Sequence, residues 1–95
     1  MTAYTLREIC EILEIDEAFG FELEREAIIV TDDSVEAPGR YSARMLERAR
    51  VAYHLVHDLD VNLPGAAVIV RLREEMVGLQ KSVRELAAEL EKRRG

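Results

Sequence analysis

The two histidines of the sequence stand close to two aspartates and form the best candidate for metal chemistry. His54 and Asp58 are four residues apart on a predicted helix and share a face, and His57 lies three residues after His54. Asp60 follows two residues after Asp58. A zinc site needs three or four ligands at a characteristic spacing, and neither a cysteine nor a third histidine accompanies this pair. We interpret both histidines as ordinary surface or core-edge residues, and we predict no metal site and no cofactor.

The single cysteine, Cys10, is the only candidate for a reactive thiol. It falls on an apolar stripe with helical spacing, formed by Leu6, Ile9, Cys10 and Leu13, so we expect it in the core rather than as a nucleophile. The sequence contains no glycine-rich phosphate loop and no Ser/His/Asp set in a recognisable context. Its many carboxylates lie on amphipathic helix faces rather than at converging points. The protein is therefore predicted not to be an enzyme.

Acidic residues are concentrated in the first third of the chain. Residues 1–39 carry eleven acidic residues and two arginines, a net charge of −9, whereas the whole chain has −6. Residues 40–63 come to +1 and residues 64–95 to +2. Such an acidic region repels phosphates and attracts basic surfaces. The densest part lies in the second predicted helix and comprises Asp16, Glu17, Glu22, Glu24 and Glu26, a group that forms either a solvated face or a contact surface.

Two short helices joined by a tight turn are predicted at the start of the chain. Thr5 and Glu8 have the spacing of a capping box, which satisfies free backbone N–H groups at a helix start. After a turn at Glu14-Ile15, Asp16 is the expected N-cap of a second helix that runs to about Ala27, with Gly20 weakening it. This order is typical of a helix-turn-helix.

A small β-hairpin, or wing, is predicted next. Ile28-Ile29-Val30 has the composition of a short strand, and the polar segment 31–39 ends in the turn residues Pro38-Gly39. Arg40-Tyr41 would return as the second strand. Ser42 then caps a third helix, which must stop near Asn62 because Pro64 disfavours a helical residue before it.

The last helix, from Pro64 to about Arg94, carries the pattern of a coiled coil. Its apolar residues alternate in steps of three and four, as the a and d positions of three heptads do: Ile69, Leu72, Met76, Leu79, Val83, Leu86 and Leu90. No other part of the chain is free to cover this stripe, so a second copy of the chain is the simplest partner. Residues 1–63 are predicted to form one compact unit and residues 64–95 a dimerisation helix, with the coiled-coil direction left open.

The composition is that of a folded soluble protein, with 48% apolar and 34% charged residues. No apolar run approaches the ~20 residues of a membrane helix. The opening Met1-Thr2-Ala3-Tyr4-Thr5 lacks the basic and apolar regions of a secretory signal. We therefore expect a cytoplasmic protein that does not bind membranes.

The order of elements resembles the MerR-like winged helix-turn-helix, a mainly α fold with a small β-hairpin wing and a long C-terminal coiled-coil helix. The run Gly39-Arg40-Tyr41-Ser42 is similar to the wing of that superfamily. The segment from Asp58 through Pro64 to Ala67, with Arg71-Leu72, Leu79-Gln80 and the opening Tyr4 to Cys10, resembles the chaperone-modulator branch, CbpM. That branch is expected to bind the J-domain of a DnaJ/CbpA-like co-chaperone and to inhibit its cooperation with the Hsp70 chaperone DnaK.

The resemblance implies a partner-binding surface on the second helix and the adjoining wing, because J-domains dock through a positively charged helix. Exposed Phe21 is the candidate apolar contact within it. The full predicted surface is Asp16, Glu17, Phe21, Glu22, Glu24, Glu26, Arg40 and Tyr41. The sequence departs from the family pattern at Glu14 and Asp60, where glycine is usual, and a left-handed conformation there would cost about 1 kcal/mol relative to glycine.

A DNA-binding transcriptional regulator of the MerR or HspR type is the alternative, and a coiled-coil scaffold would explain only residues 69–90. The recognition helix of the DNA-binding proteins carries an arginine about where Phe21 stands here. A helix with five acidic residues and one arginine, Arg25, faces phosphates with the wrong sign. The nearby basic residues Arg40, Arg44, Arg48 and Arg50 are interpreted as a solvated wing and helix face.

Overall fold

A computed structural model describes residues 2–32 and 38–95 of the chain. Within them the protein is mainly helical, with four helices and one two-stranded sheet. In chain order the elements are β1 (Ala3–Tyr4), α1 (Leu6–Leu13), α2 (Glu17–Arg25), β2 (Tyr41–Ser42), α3 (Ala43–Leu59) and α4 (Leu63–Arg94). The predicted polar segment 31–39 lies partly outside the described residues.

The predicted helix caps are confirmed. The Thr5 hydroxyl accepts the Glu8 N–H at 3.1 Å, and the Thr5 N–H donates to the Glu8 carboxylate at 2.8 Å, which completes the capping box. The Asp16 carboxylate accepts the Phe19 N–H at 2.9 Å and starts α2, while Ser42 caps α3 in the same way. These caps fix where each helix begins.

Glu14 and Asp60 adopt the left-handed backbone conformation, which was expected to be strained at these non-glycine positions. Glu14 has φ 56° and Asp60 has φ 53°, so each ends a helix where glycine would be unstrained.

Gly20, which was expected only to weaken α2, allows the close approach of α1. A Cβ atom at Gly20 would stand 2.8 Å from the Cys10 sulfur and 3.2 Å from a Leu6 methyl carbon.

The predicted pairing of Ile28-Ile29-Val30 with Arg40-Tyr41 is wrong. The antiparallel sheet joins β1 to β2 instead, with Ala3 opposite Ser42 and Tyr4 opposite Tyr41. The reason is the left-handed residue Ala27, φ 55°, which follows the end of α2 and turns the chain back.

The segment after this turn packs as an irregular part of the core. The N–H groups of Ile28 and Ile29 donate to the Leu23 carbonyl at 3.0 and 3.4 Å, and both side chains are buried. The Asp32 N–H donates to the Arg40 carbonyl at 3.2 Å, which joins the two arms of the wing near its base. The rest of the predicted wing tip, residues 33–37, lies outside the described residues.

The core lies between the helix-turn-helix and α3, and it continues onto the first two turns of α4. Small residues allow α3 and α4 to pack closely: Ala49 and Ala52 on α3, and Ala66 and Ala67 on α4, are buried. The last buried residue of α4 is Val70. The α4 helix therefore begins inside the compact unit and leaves it after about two turns.

A carboxylate on α4 fastens the long helix to α3. Glu74 accepts hydrogen bonds from Arg48 at 2.6 and 3.0 Å and from Arg44 at 2.9 and 3.2 Å. Arg48 also donates to the Ile28 carbonyl at 3.1 Å. These bonds, above all those from Arg48, lower the pKa of the Glu74 carboxyl to about 2. The direction in which α4 leaves the compact unit is thus set by an ion-pair cluster in which Arg48 is mostly buried and Arg44 is exposed.

Candidate protein-binding surface

The outward face of α2 is built around Phe21. Leu23 and Gly20 are buried on the inner face of this helix, whereas Phe21 is 56% exposed. Helical spacing places Glu17 one turn before Phe21 and Arg25 one turn after it. An exposed aromatic ring surrounded by charged residues has the composition of a contact point for another protein.

The acidic residues of the predicted surface differ in the ion pairs and hydrogen bonds that they form within the chain. Glu22 is exposed, and no arginine or lysine among the described residues pairs with it. Glu17 lies 3.4 Å from Arg7, and this exposed pair contributes little to stability. Glu24 accepts a hydrogen bond from the Tyr41 hydroxyl, and Glu26 is half-buried beyond the end of α2. The end of the surface around Glu22 is thus the most available for a partner.

Tyr41 does not belong to this surface, which corrects its prediction as a partner-binding residue. Its side chain is 3% exposed, because β2 turns it inward against the core. Burial raises the pKa of the Tyr41 phenol, and its hydrogen bond to Glu24 raises it further. Tyr41 therefore acts as a support that holds the Glu24 carboxylate. Its neighbour Arg40 is half-buried and lies 3.4 Å from Glu8 at the start of α1.

The basic residues after the wing are engaged by acidic residues of the chain itself. Arg44 and Arg48 bind Glu74, and Arg50 binds Glu47. The hydrogen bond from Arg50 lowers the pKa of the Glu47 carboxyl. Arg48 is mostly buried rather than on the solvated face that was predicted, since its side chain is 14% exposed.

A pocket beside α2 was missed by the sequence analysis. It has a volume of about 530 Å³ and is lined by Glu14, Ile15, Asp16, Ala18, Phe19, Glu22, Tyr53 and His57. The Tyr53 and His57 rings are in tilted contact, with centroids 4.1 Å and planes 37° apart, and Phe19 meets Tyr53 edge to face at 5.6 Å. The spacing of Tyr53 and His57 on α3 was the available signal, but nothing in the sequence indicates that Phe19 packs against them.

The candidate catalytic and metal residues do not converge on one point. His54 contacts Asp58 at 2.8 Å, whereas His57 is turned toward Tyr53. Residues 2–32 and 38–95 contain no group of three or more His, Cys, Asp or Glu side chains able to hold a metal ion. Cys10 is buried as expected, and burial raises the pKa of its thiol, with Glu17 adding to the effect.

The predicted coiled-coil residues lie along one exposed side of α4. The stripe begins beside the compact unit at Ile69 and ends at Leu90, and its members are 38% to 67% exposed. The stripe comprises Ile69, Leu72, Met76, Leu79, Val83, Leu86 and Leu90. No helix of the described part of the chain is both long enough and apolar enough to cross a membrane.

The capped pair α1–α2, the small sheet, α3 and the projecting α4 together define a helix-turn-helix protein with a long C-terminal helix. A family model described as MerR HTH family regulatory protein matches residues 4–88 of the 95 residues. The chain belongs to this family, and the predicted MerR-like fold class is confirmed. A search of curated proteins found no match, and neither did a search of solved structures.

Proposed function

We propose that the protein is a cytoplasmic, non-enzymatic chaperone modulator, which binds the J-domain of a DnaJ-like co-chaperone and inhibits its cooperation with DnaK. Inhibition would be by occlusion, because the modulator covers the J-domain surface that DnaK uses. The observation that carries the proposal is the exposed Phe21 on an acidic α2, where a DNA-binding relative would need basic residues.

In this proposal, charge raises the association rate, and an apolar contact lowers the dissociation rate. The acidic residues of α2 attract a basic J-domain helix over distances of ~8 Å at physiological ionic strength, which mainly speeds encounter. Rim charges of this kind are worth under ~1 kcal/mol each, so the lifetime of the complex depends on a buried contact. Phe21 supplies that contact because its ring is large and exposed.

A DNA-binding regulator remains the second candidate, and the family match favours it, because MerR-type regulatory proteins usually bind DNA. Phosphate contacts require free arginine and lysine side chains. Here Arg44, Arg48 and Arg50 are already bound by Glu74 and Glu47. Freeing the mostly buried Arg48 would oppose DNA binding, whereas the exposed pairs of Arg44 and Arg50 would break at little cost. The stronger objection is that the acidic residues of α2 would face the phosphates of the duplex.

Surface plasmon resonance against an immobilised J-domain tests the proposal. Phe21→Ala should raise the dissociation rate about tenfold or more, as truncation of an aromatic hot spot does. Glu22→Lys with Glu26→Lys should slow association and flatten its dependence on salt. The matched control is Glu85→Lys with Glu91→Lys, which makes the same charge change on exposed residues of α4 outside the apolar stripe.

Three results would count against the proposal. The first is the absence of J-domain binding at micromolar concentration. The second is an equal slowing of association by the control pair, which would mean that net charge alone drives encounter. The third is sub-micromolar binding to duplex DNA at ~50 mM salt that weakens in Arg40→Glu or Arg44→Glu, a result that would establish the second candidate.

We also propose that the protein works as a homodimer joined through the α4 stripe. Seven apolar side chains repeat along one side of a helix of 32 residues. A soluble monomer rarely leaves such a patch uncovered, and a second copy presents an identical stripe that matches it by symmetry.

A further inference from the structure

The pocket between the α1–α2 turn and α3 has walls and a rim of different chemistry. Its walls are aromatic, formed by Phe19, Tyr53 and His57, and the Phe19 and His57 centroids lie 5.7 Å apart. Its rim is acidic, formed by Glu14, Asp16 and Glu22. Among the described residues, no arginine or lysine lines the pocket.

The carboxylates of the rim lack counter-ions within residues 2–32 and 38–95. Asp16 accepts the backbone N–H of Phe19, which engages one of its two carboxylate oxygens. Neither Glu14 nor Glu22 forms an ion pair or a side-chain hydrogen bond with another described residue. Arg7 is paired with Glu17 and Arg40 with Glu8, so neither neutralises the rim. The negative charge of the rim is therefore not neutralised by the described residues, and it lies beside three aromatic rings.

We propose that this pocket receives one arginine side chain of the protein partner. A guanidinium group is planar and weakly hydrated, so it stacks on aromatic faces and donates in pairs to carboxylates. His57 and Glu22 are both exposed and line the same pocket, so the His57 ring offers a stacking surface and the Glu22 carboxylate an acceptor. A lysine ammonium matches only the charge of the site, because it is compact and strongly hydrated.

The inference rests on the proposed function for the identity of the partner but not for the chemistry of the pocket. Asp16 and Glu22 belong both to the pocket and to the acidic surface of α2. A partner that contacts Phe21 would therefore be close enough to place one of its arginines in the pocket. The pocket thus requires an arginine at a defined position of the partner, in addition to the partner's positive charge.

A blocked Gly-Arg-Gly peptide probes the pocket without any J-domain. In an NMR titration of the full-length protein, it should shift the resonances of Tyr53 and His57 and saturate at concentrations on the order of millimolar. The citrulline counterpart, which is neutral and of nearly the same shape, should produce no saturable shift, and Gly-Lys-Gly should bind more weakly. His57→Leu and Glu22→Gln should each weaken arginine binding about twofold to fivefold. Glu85→Gln, an exposed control on α4, should leave it unchanged.

Equal binding of the citrulline peptide, the absence of saturable binding, or unchanged affinity in both pocket variants would overturn the inference. Tighter binding of the lysine peptide would overturn the assignment to arginine. The surface plasmon resonance experiment with the J-domain distinguishes this failure from that of the proposed function. Binding of the peptide without the J-domain supports the pocket and refutes the function, whereas binding of the J-domain without the peptide does the reverse.

Discussion

The attachment of α4 to α3 through Glu74 allows a quantitative prediction. Glu74→Gln keeps the shape of the side chain but removes the charge that Arg44 and Arg48 share. The pKa of Glu74 is about 2 in the folded protein against an ordinary value of 4.5. At ~1.4 kcal/mol per pKa unit this corresponds to roughly 3 kcal/mol. Because the side chain is 23% exposed, screening reduces the expected loss to about 2 kcal/mol in the free energy of unfolding at pH 7.

The same pair of pKa values determines how the effect depends on pH. The pKa of Glu74 is lower in the folded than in the unfolded state, so its contribution is complete above about pH 4.5 and is lost as pH falls toward 2. At pH 3.5 the linkage relation removes roughly two fifths of this contribution. The difference between wild type and variant in the free energy of unfolding should therefore shrink from about 2 kcal/mol at pH 7 to about 1 kcal/mol at pH 3.5.

Urea unfolding followed by far-UV circular dichroism measures both values. Protein concentration must be held fixed, because association through α4 would make the stability concentration-dependent. Glu85→Gln is the matched control and should cost under ~0.5 kcal/mol, as exposed substitutions do. A loss at Glu74 no larger than at Glu85, or a loss that does not change with pH, would refute the argument that this ion-pair cluster holds α4.

Three further substitutions test other parts of the fold. Gly20→Ala should destabilise by about 1–3 kcal/mol in urea unfolding, although alanine favours helices, because the added Cβ meets Cys10; a gain in stability would contradict the close packing. Glu14→Gly should stabilise by about 0.5–1 kcal/mol by the same measurement, since it relieves the positive φ; a loss would mean that the turn is unstrained. Leu79→Asp with Leu86→Asp should give monomers in sedimentation velocity, and a persisting dimer would exclude the stripe as the interface.

Local signals in the sequence predicted most of the helix boundaries. The capping residues Thr5, Asp16 and Ser42 act within three positions of themselves, so the sequence around each contains all the necessary information. The wing was mispredicted because Ile28 to Val30 has strand composition, and an apolar run of three residues is compatible with a strand or with a buried irregular segment. The choice is made by the left-handed Ala27, which no local pattern indicates.

Long-range contacts could not be predicted in the same way. The strand partner of Tyr41 is Tyr4, at the other end of the helix-turn-helix, so the sequence places Tyr41 on the wing surface while the sheet buries it. The ion pair between Arg48 and Glu74 joins residues on different helices, and its existence depends on how closely α3 and α4 pack. By contrast, the exposure of Phe21 was predictable from helical spacing once the apolar side of α2 was identified.

Because α4 projects from the core, the folding of its far end depends on protein concentration. Beyond Glu74, which Arg44 and Arg48 bind, every residue of α4 is exposed. At ~1.5 Å per residue, residues 75–94 leave about 30 Å of helix with no tertiary support. Isolated helices in water are marginal, because each turn gains little beyond the entropy it loses. The far end of α4 should therefore fray in a single molecule and become ordered when its stripe is covered. Helical content would then rise with protein concentration, while the compact unit stays folded throughout.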